Sequence, residues 1–80
     1  LVVDDDADMR TLMQIILEQQ GAAVTITGSA TEALLVFDQQ PPDLLISDIG
    51  MPEMDGYSLL RQIRRRSPAQ GGGVPAIALT

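Results

Sequence analysis

Leu44-Leu45-Ile46-Ser47-Asp48-Ile49-Gly50-Met51-Pro52-Glu53-Met54-Asp55-Gly56 is the stretch whose reading decides the fold. Leu44 to Ile46 is an apolar run of the kind that a parallel sheet buries on both faces. It delivers one carboxylate, Asp48, onto a loop punctuated by Gly50, Pro52 and Gly56. A helical apolar pattern starts directly after that loop. Open α/β sheets carry their chemistry at the carboxyl ends of such strands, so Asp48 is the first candidate for a functional group.

Before this stretch, Leu1-Val2-Val3 reads as a first strand and runs into Asp4, Asp5, Asp6 and Asp8. Met9, Leu12, Met13, Ile16 and Leu17 then fall at helical spacing and predict a helix over about 7–20, with Asp6 as N-cap and Gly21 as its C′ glycine. On this reading Met9 and Met13 fill the core. Val24 to Thr27 alternates apolar and polar residues, as a second strand near an edge would. Ser29-Ala30-Thr31-Glu32 has the form of a capping box, and opens a helix with Ala33, Leu34 and Phe37 turned inward, ending before Pro41-Pro42. The central strand runs from Asp43 to Ser47.

After the Asp48 loop, Leu59, Leu60 and Ile63 mark a third helix over about 56–66, with Asp55 and Gly56 at its start and Tyr57 either on its surface or in its packing. Arg61, Arg64, Arg65 and Arg66 form a solvated face at its end, where cations suit the helix dipole. Gln70 to Gly73 reads as a flexible connector, and Val74 to Leu79 as a fourth strand ending at Thr80. Pro75 is tolerated among a strand's first residues.

The resulting βαβαβαβ alternation calls for a parallel sheet with right-handed crossovers. It places Asp4, Asp5, Asp48 and Thr80 along one rim. With 80 residues the chain is one small domain. Its composition, 45% hydrophobic and 20% charged, is that of a globular domain rather than a disordered one. A net charge of −6, with arginine as the only basic residue type, argues against a nucleic-acid surface. No apolar run is long enough to span a bilayer, and no signal peptide is legible. The absence of cysteine removes disulfide and thiol chemistry and fits a cytoplasmic setting.

Asp4, Asp5 and Asp48 on one rim would repel one another unless a cation sat among them. The chain has no histidine and no cysteine, so its metal donors are oxygens, which suit a hard ion such as Mg²⁺, Mn²⁺ or Ca²⁺. Mg²⁺ takes about six oxygens and keeps several waters, which leaves room for a phosphoryl oxygen. Asp48 is then a possible nucleophile, because carboxylates form aspartyl-phosphates, and the Thr80 hydroxyl a possible donor to the phosphate.

Val2-Val3-Asp4-Asp5, the run from Ile46 to Gly56 and Ala76-Ile77-Ala78-Leu79-Thr80 together resemble the receiver domain of bacterial two-component response regulators. The resemblance covers the whole chain in order. Met-Pro-x-Met-Asp-Gly after the acceptor position is its most specific part. It implies a flavodoxin-like doubly wound sheet ordered 2-1-3-4. It implies Asp48 as phosphoacceptor, Asp5, Asp48 and the Gly50 carbonyl as direct Mg²⁺ ligands, Asp4 as a ligand through water, and Thr80 as the switch hydroxyl. The phosphodonor it implies is a histidine kinase or a histidine phosphotransfer protein. Such a domain promotes only its own phosphorylation and dephosphorylation, within a parent that includes hybrid kinases among its options. It contacts neither nucleic acid nor membrane itself.

The family pattern continues with a helix, a fifth strand bearing a lysine that pairs with the phosphate, and a last helix. This chain stops at Thr80 and has no lysine. The expectation is therefore a receiver domain over residues 1–80, truncated after its fourth strand, impaired in phosphoryl transfer and prone to self-association through the exposed fourth strand. Two rival readings stand beside it. A receiver-like module that is silent to phosphorylation would serve only as an interaction surface. A Mg²⁺-dependent aspartyl-phosphate phosphohydrolase would usually place a second acid two residues after the nucleophile, where this chain has Gly50.

Overall fold

The computed structural model describes residues 1–79 and folds them as the alternation that the apolar pattern predicts. In chain order the elements are β1 (Val2–Val3), α1 (Ala7–Gln19), β2 (Ile26–Thr27), α2 (Ala30–Gln39), β3 (Leu45–Asp48), α3 (Gly56–Arg64) and β4 (Ala76–Leu79). All strand pairings are parallel, and the order is β2-β1-β3-β4, the expected flavodoxin-like doubly wound arrangement. The chain leaves β1 for β2 on one side and returns to β3 on the other. The carboxyl ends of β1 and β3 therefore form the topological switch point, where such sheets bind ligands.

The strands are short, and register holds them together. Val2 pairs with both Ile26 and Ile46, and Ile46 with Ile77, so one apolar row crosses the sheet. Leu45, Ile46 and Ser47 are all buried, as the reading of β3 as a two-face-buried strand requires. The core lies under α2 and α3, where Val3, Ala33, Phe37, Leu45, Leu59 and Ile63 pack together. Phe37, Leu59 and Ile63 are fully buried, and each contributes roughly 1.5–3 kcal/mol by leaving water.

Local signals end the helices where expected. The Asp6 carboxylate accepts from the N–H groups of Asp8 at 2.9 Å and Met9 at 3.2 Å, and Gly21 closes α1 with φ +90°. The Ser29 hydroxyl accepts from the Glu32 N–H at 3.2 Å. The return half of that box is displaced by one residue: the Glu32 carboxylate accepts from the Gly28 N–H at 3.3 Å, not from Ser29.

Three expectations need correction. The described elements cover only part of the apolar arc of α1. Met13 and Leu17 are half-buried, whereas Met9, Leu12, Ile15 and Ile16 remain 42–51% exposed, and Met9 is not core. The Gln70–Gly73 segment is a packed corner rather than a flexible connector. A 3-10 turn at Pro68–Gln70 leads to Gly71 with φ +90°, and Gly72 is buried where any Cβ would collide with the Arg66 carbonyl. Finally, the arginines at and just after the end of α3 are not all a solvated face. Arg66 chelates the Asp38 carboxylate through Nε at 2.5 Å and Nη2 at 2.8 Å, tying the end of α3 to α2. Arg64 Nη1 donates to the Gly72 carbonyl at 2.8 Å and braces the corner.

Candidate functional site at the carboxyl ends of β1 and β3

Val3 pairs with Ser47, so the residues that follow them, Asp4 and Asp48, leave adjacent strands side by side. Asp4 is buried and held on every side. Its N–H donates to the Thr27 carbonyl at 3.1 Å, its carboxylate accepts from the Asp6 N–H at 2.9 Å, and its carbonyl accepts from Arg10 Nη1 at 2.7 Å. Asp5 follows on the exposed turn between β1 and the capped start of α1. Asp48 is half-buried at the end of β3, and its Oδ1 accepts from the Gly50 N–H at 3.1 Å. Asp4, Asp5 and Asp48 each present a carboxylate oxygen, and these three oxygens all lie within 4.8 Å of one another.

The loop after Asp48 is built to hold that carboxylate still. The Ile49 N–H donates to the Leu79 carbonyl at 3.1 Å, and the Gly56 N–H donates to the Ile49 carbonyl at 3.0 Å, which pins both ends of the loop. Met51 is buried in the core and anchors the middle. The Met54 N–H donates to the Pro52 carbonyl at 2.7 Å, closing a three-residue turn around Glu53, whose φ is +67°. Asp55 caps α3 by accepting from the Ser58 N–H at 2.8 Å. That backbone hydrogen bond holds the Asp55 carboxyl below its ordinary range.

Three like charges at this separation cost roughly 1 kcal/mol per pair in bulk water and about 3–4 kcal/mol at an effective dielectric of 20. The donor set answers which ligand would relieve that cost. It consists of three carboxylate oxygens, and the chain has no imidazole or thiolate to offer. Such a set fits a hard divalent cation of the Mg²⁺ type.

The structure thus brings together Asp4, Asp5 and Asp48 from the sequence-predicted set and puts Gly50 in the adjoining loop, while Thr80 lies outside the described residues. Two contributors escaped the sequence reading. Ser47 donates its hydroxyl to the Asp48 carbonyl at 3.0 Å, and Arg10 binds the Asp4 carbonyl. Arg10 did carry a signal: it shares a helical stripe with Met13 and Leu17, so a charge interrupts the sheet-facing side of α1.

Comparison with known proteins places the chain in a family. The family model for the response regulator receiver domain matches residues 1–80. An uncharacterized 14.6 kDa protein of Leptolyngbya boryana is 49% identical over 80 residues, and the chain spans 60% of that relative's length. Among solved structures, the N-terminal domain of a response regulator receiver protein from Methanoculleus marisnigri JR1 superimposes with a TM-score of 0.89 at 32% identity, over 99% of this chain and 63% of that one. The signal receiver domain of a signal transduction histidine kinase from Syntrophus aciditrophicus gives a TM-score of 0.89 at 34% identity, over 99% of this chain and 58% of that one. The family model spans residues 1–80 and the solved neighbours share the fold, so the chain belongs to the response regulator receiver domain family of two-component signalling.

Proposed function

We propose that Asp48 accepts a phosphoryl group from the phosphohistidine of a histidine kinase or a histidine phosphotransfer protein, in a reaction that depends on Mg²⁺. The observation that carries this reading is the meeting of three carboxylate oxygens within 4.8 Å at the switch point of a receiver fold. Asp5, Asp48 and the Gly50 carbonyl are the direct ligands in this proposal, and Asp4 binds through water. The bound cation supplies charge neutralisation for the phosphoryl oxygens.

An Asp48 carboxylate oxygen forms the new bond to phosphorus as the nitrogen–phosphorus bond of the donor breaks. The imidazole nitrogen keeps the electron pair. The Gly50 N–H orients the carboxylate, and the rigid loop from Ile49 to Gly56 keeps it at the rim. By the family resemblance Thr80 donates its hydroxyl to the new phosphate. The domain then acts as a switch whose conformational equilibrium shifts on phosphorylation, and it promotes only its own phosphorylation and dephosphorylation.

The donor must present its imidazole at the rim, so it meets whatever surface flanks Asp5. That surface is α1, which begins two residues later and exposes Met9, Leu12 and Ile16 along one flank. A helical donor with an apolar stripe fits it. Among the described residues β4 is the sheet edge opposite β2, with Ile77 49% exposed, and self-association through that edge belongs to the same proposal. Concentration-dependent sedimentation of the isolated chain tests the latter point.

The test of the central reading is transfer from a phosphorylated histidine phosphotransfer domain, followed by intact-mass analysis. The expected result is one Mg²⁺-dependent phosphoryl group on the wild-type chain and none on Asp48→Asn. Transfer that persists in Asp48→Asn would overturn the assignment. No transfer with Mg²⁺ present would favour the silent interaction module.

A further inference from the structure

We propose that Arg10 is a positioning residue for the acidic rim, and that position 28 is glycine to make room for it. The inference rests on reading Asp4, Asp5 and Asp48 as the cation-binding set.

Arg10 lies on the sheet-facing stripe of α1 and is half-buried. Its Nη1 donates to the main-chain carbonyl of Asp4 at 2.7 Å, just beyond the last ladder pair of β1. Asp4 is buried, so its carbonyl needs a partner, and a guanidinium supplies a charge-assisted one. The same Nη1 end of the guanidinium rests against Gly28. A Cβ at Gly28 would stand 3.0 Å from Nη1, 3.5 Å from Cζ and 3.8 Å from Nη2 of Arg10. Backbone conformation does not account for that glycine: the described glycines with positive φ are Gly21 and Gly71. Space for the guanidinium does.

Arg10 therefore reaches from α1 across the end of β1 to the turn that precedes α2. With the Thr27 carbonyl and the Asp6 N–H it makes a three-point fixation of Asp4. Asp5 hangs between this fixed residue and the N-cap Asp6, so Arg10 governs where the Asp5 carboxylate stands relative to Asp48. Groups that orient metal ligands in this way are typically worth about 10–100-fold in metal affinity.

A purely electrostatic role for Arg10 predicts the opposite sign. A cation beside the site repels Mg²⁺, so its removal would tighten binding. Calorimetric titration of Mg²⁺ into the wild type, Arg10→Gln, Gly28→Ala and the double variant separates the two. Positioning predicts about tenfold weaker binding in Arg10→Gln. It predicts a smaller weakening in Gly28→Ala, where the charge is kept and the guanidinium must give by a few tenths of an ångström, and a double variant no weaker than Arg10→Gln alone. Arg10→Lys should recover part of the loss.

Gly28→Ala meets only the movable end of a side chain, so it folds even where Arg10→Gln does not. Arg10→Gln affinity equal to or tighter than wild type, or losses that simply multiply in the double variant, would overturn the proposal. Asp48→Asn tests the underlying reading separately. If wild type binds no Mg²⁺ and matches Asp48→Asn, the reading of the rim fails and takes this inference with it.

Discussion

A Cβ on Gly56 would stand 2.5 Å from the carbonyl oxygen of Asp48 and 3.0 Å from the Cα of Ile49. The first residue of α3 thus rests directly on the end of β3, and its N–H holds the Ile49 carbonyl. The glycine that opens the helix is also a spacer that lets the loop close over the strand carrying Asp48. Gly56→Ala should cost about 1–3 kcal/mol, because backbone, not a movable side chain, stands in the way. Urea unfolding with an unchanged m-value measures it. Mg²⁺ affinity should fall in the same variant, since Asp48 must shift; full stability and affinity would contradict the close packing.

The exposed flank of α1 gives a second expectation. Leu12 is 50% exposed and belongs neither to the buried core cluster nor to the acidic trio. Leu12→Ser should leave stability within about 0.5 kcal/mol and leave Mg²⁺ affinity unchanged. Transfer from a phosphohistidine protein should slow, while beryllofluoride binding does not. Stopped-flow transfer kinetics beside a Mg²⁺ titration check this pair of outcomes, and equal transfer rates would remove α1 from the donor's footprint.

Acid sensitivity follows from Asp55 and Asp38. The Ser58 backbone N–H lowers the pKa of Asp55, and the Arg66 side-chain hydrogen bond lowers that of Asp38. Both carboxyls are therefore more acidic folded than unfolded, where the ordinary value is about 3.9. Their contribution is fully present above that value and is lost as pH falls through the folded-state values. Stability measured by urea unfolding should decline below about pH 4, and Asp55→Asn should flatten the decline. Carboxyl carbon chemical shifts should show Asp55 and Asp38 titrating below the ordinary range.

The sequence carried the alternation of elements because each signal is local. Asp6, Ser29 and Asp55 cap helices through hydrogen bonds to residues two or three positions away, and Gly21 ends α1 by its own φ. Asp4, Asp5 and Asp48 were legible as a site because parallel strands put their carboxyl ends on one rim. The strand order came only with the family resemblance, since pairing between β1 and β3 is a long-range choice that no local pattern states.

What stayed hidden depends on shape rather than pattern. The helical spacing of Met9, Leu12 and Ile16 is that of a buried face, and only the packing of the described elements shows that they leave these residues in water. Gly71 and Gly72 look like a loose tether in sequence, yet they pack where no Cβ fits, against Phe37 and the Arg66 carbonyl. Arg66 pairs with Asp38 across 28 residues, and Arg10 with Gly28 across 18, which no window along the chain can see.

The most direct test of the central claim is an NMR titration of the chain with Mg²⁺ and beryllofluoride, a mimic of the phosphoryl group, beside Asp48→Asn. The account predicts saturable shifts at Asp5, Asp48 and Gly50 that require both Mg²⁺ and the Asp48 carboxylate. Equal shifts in the Asp48→Asn chain, or none in a folded wild-type sample, would contradict it.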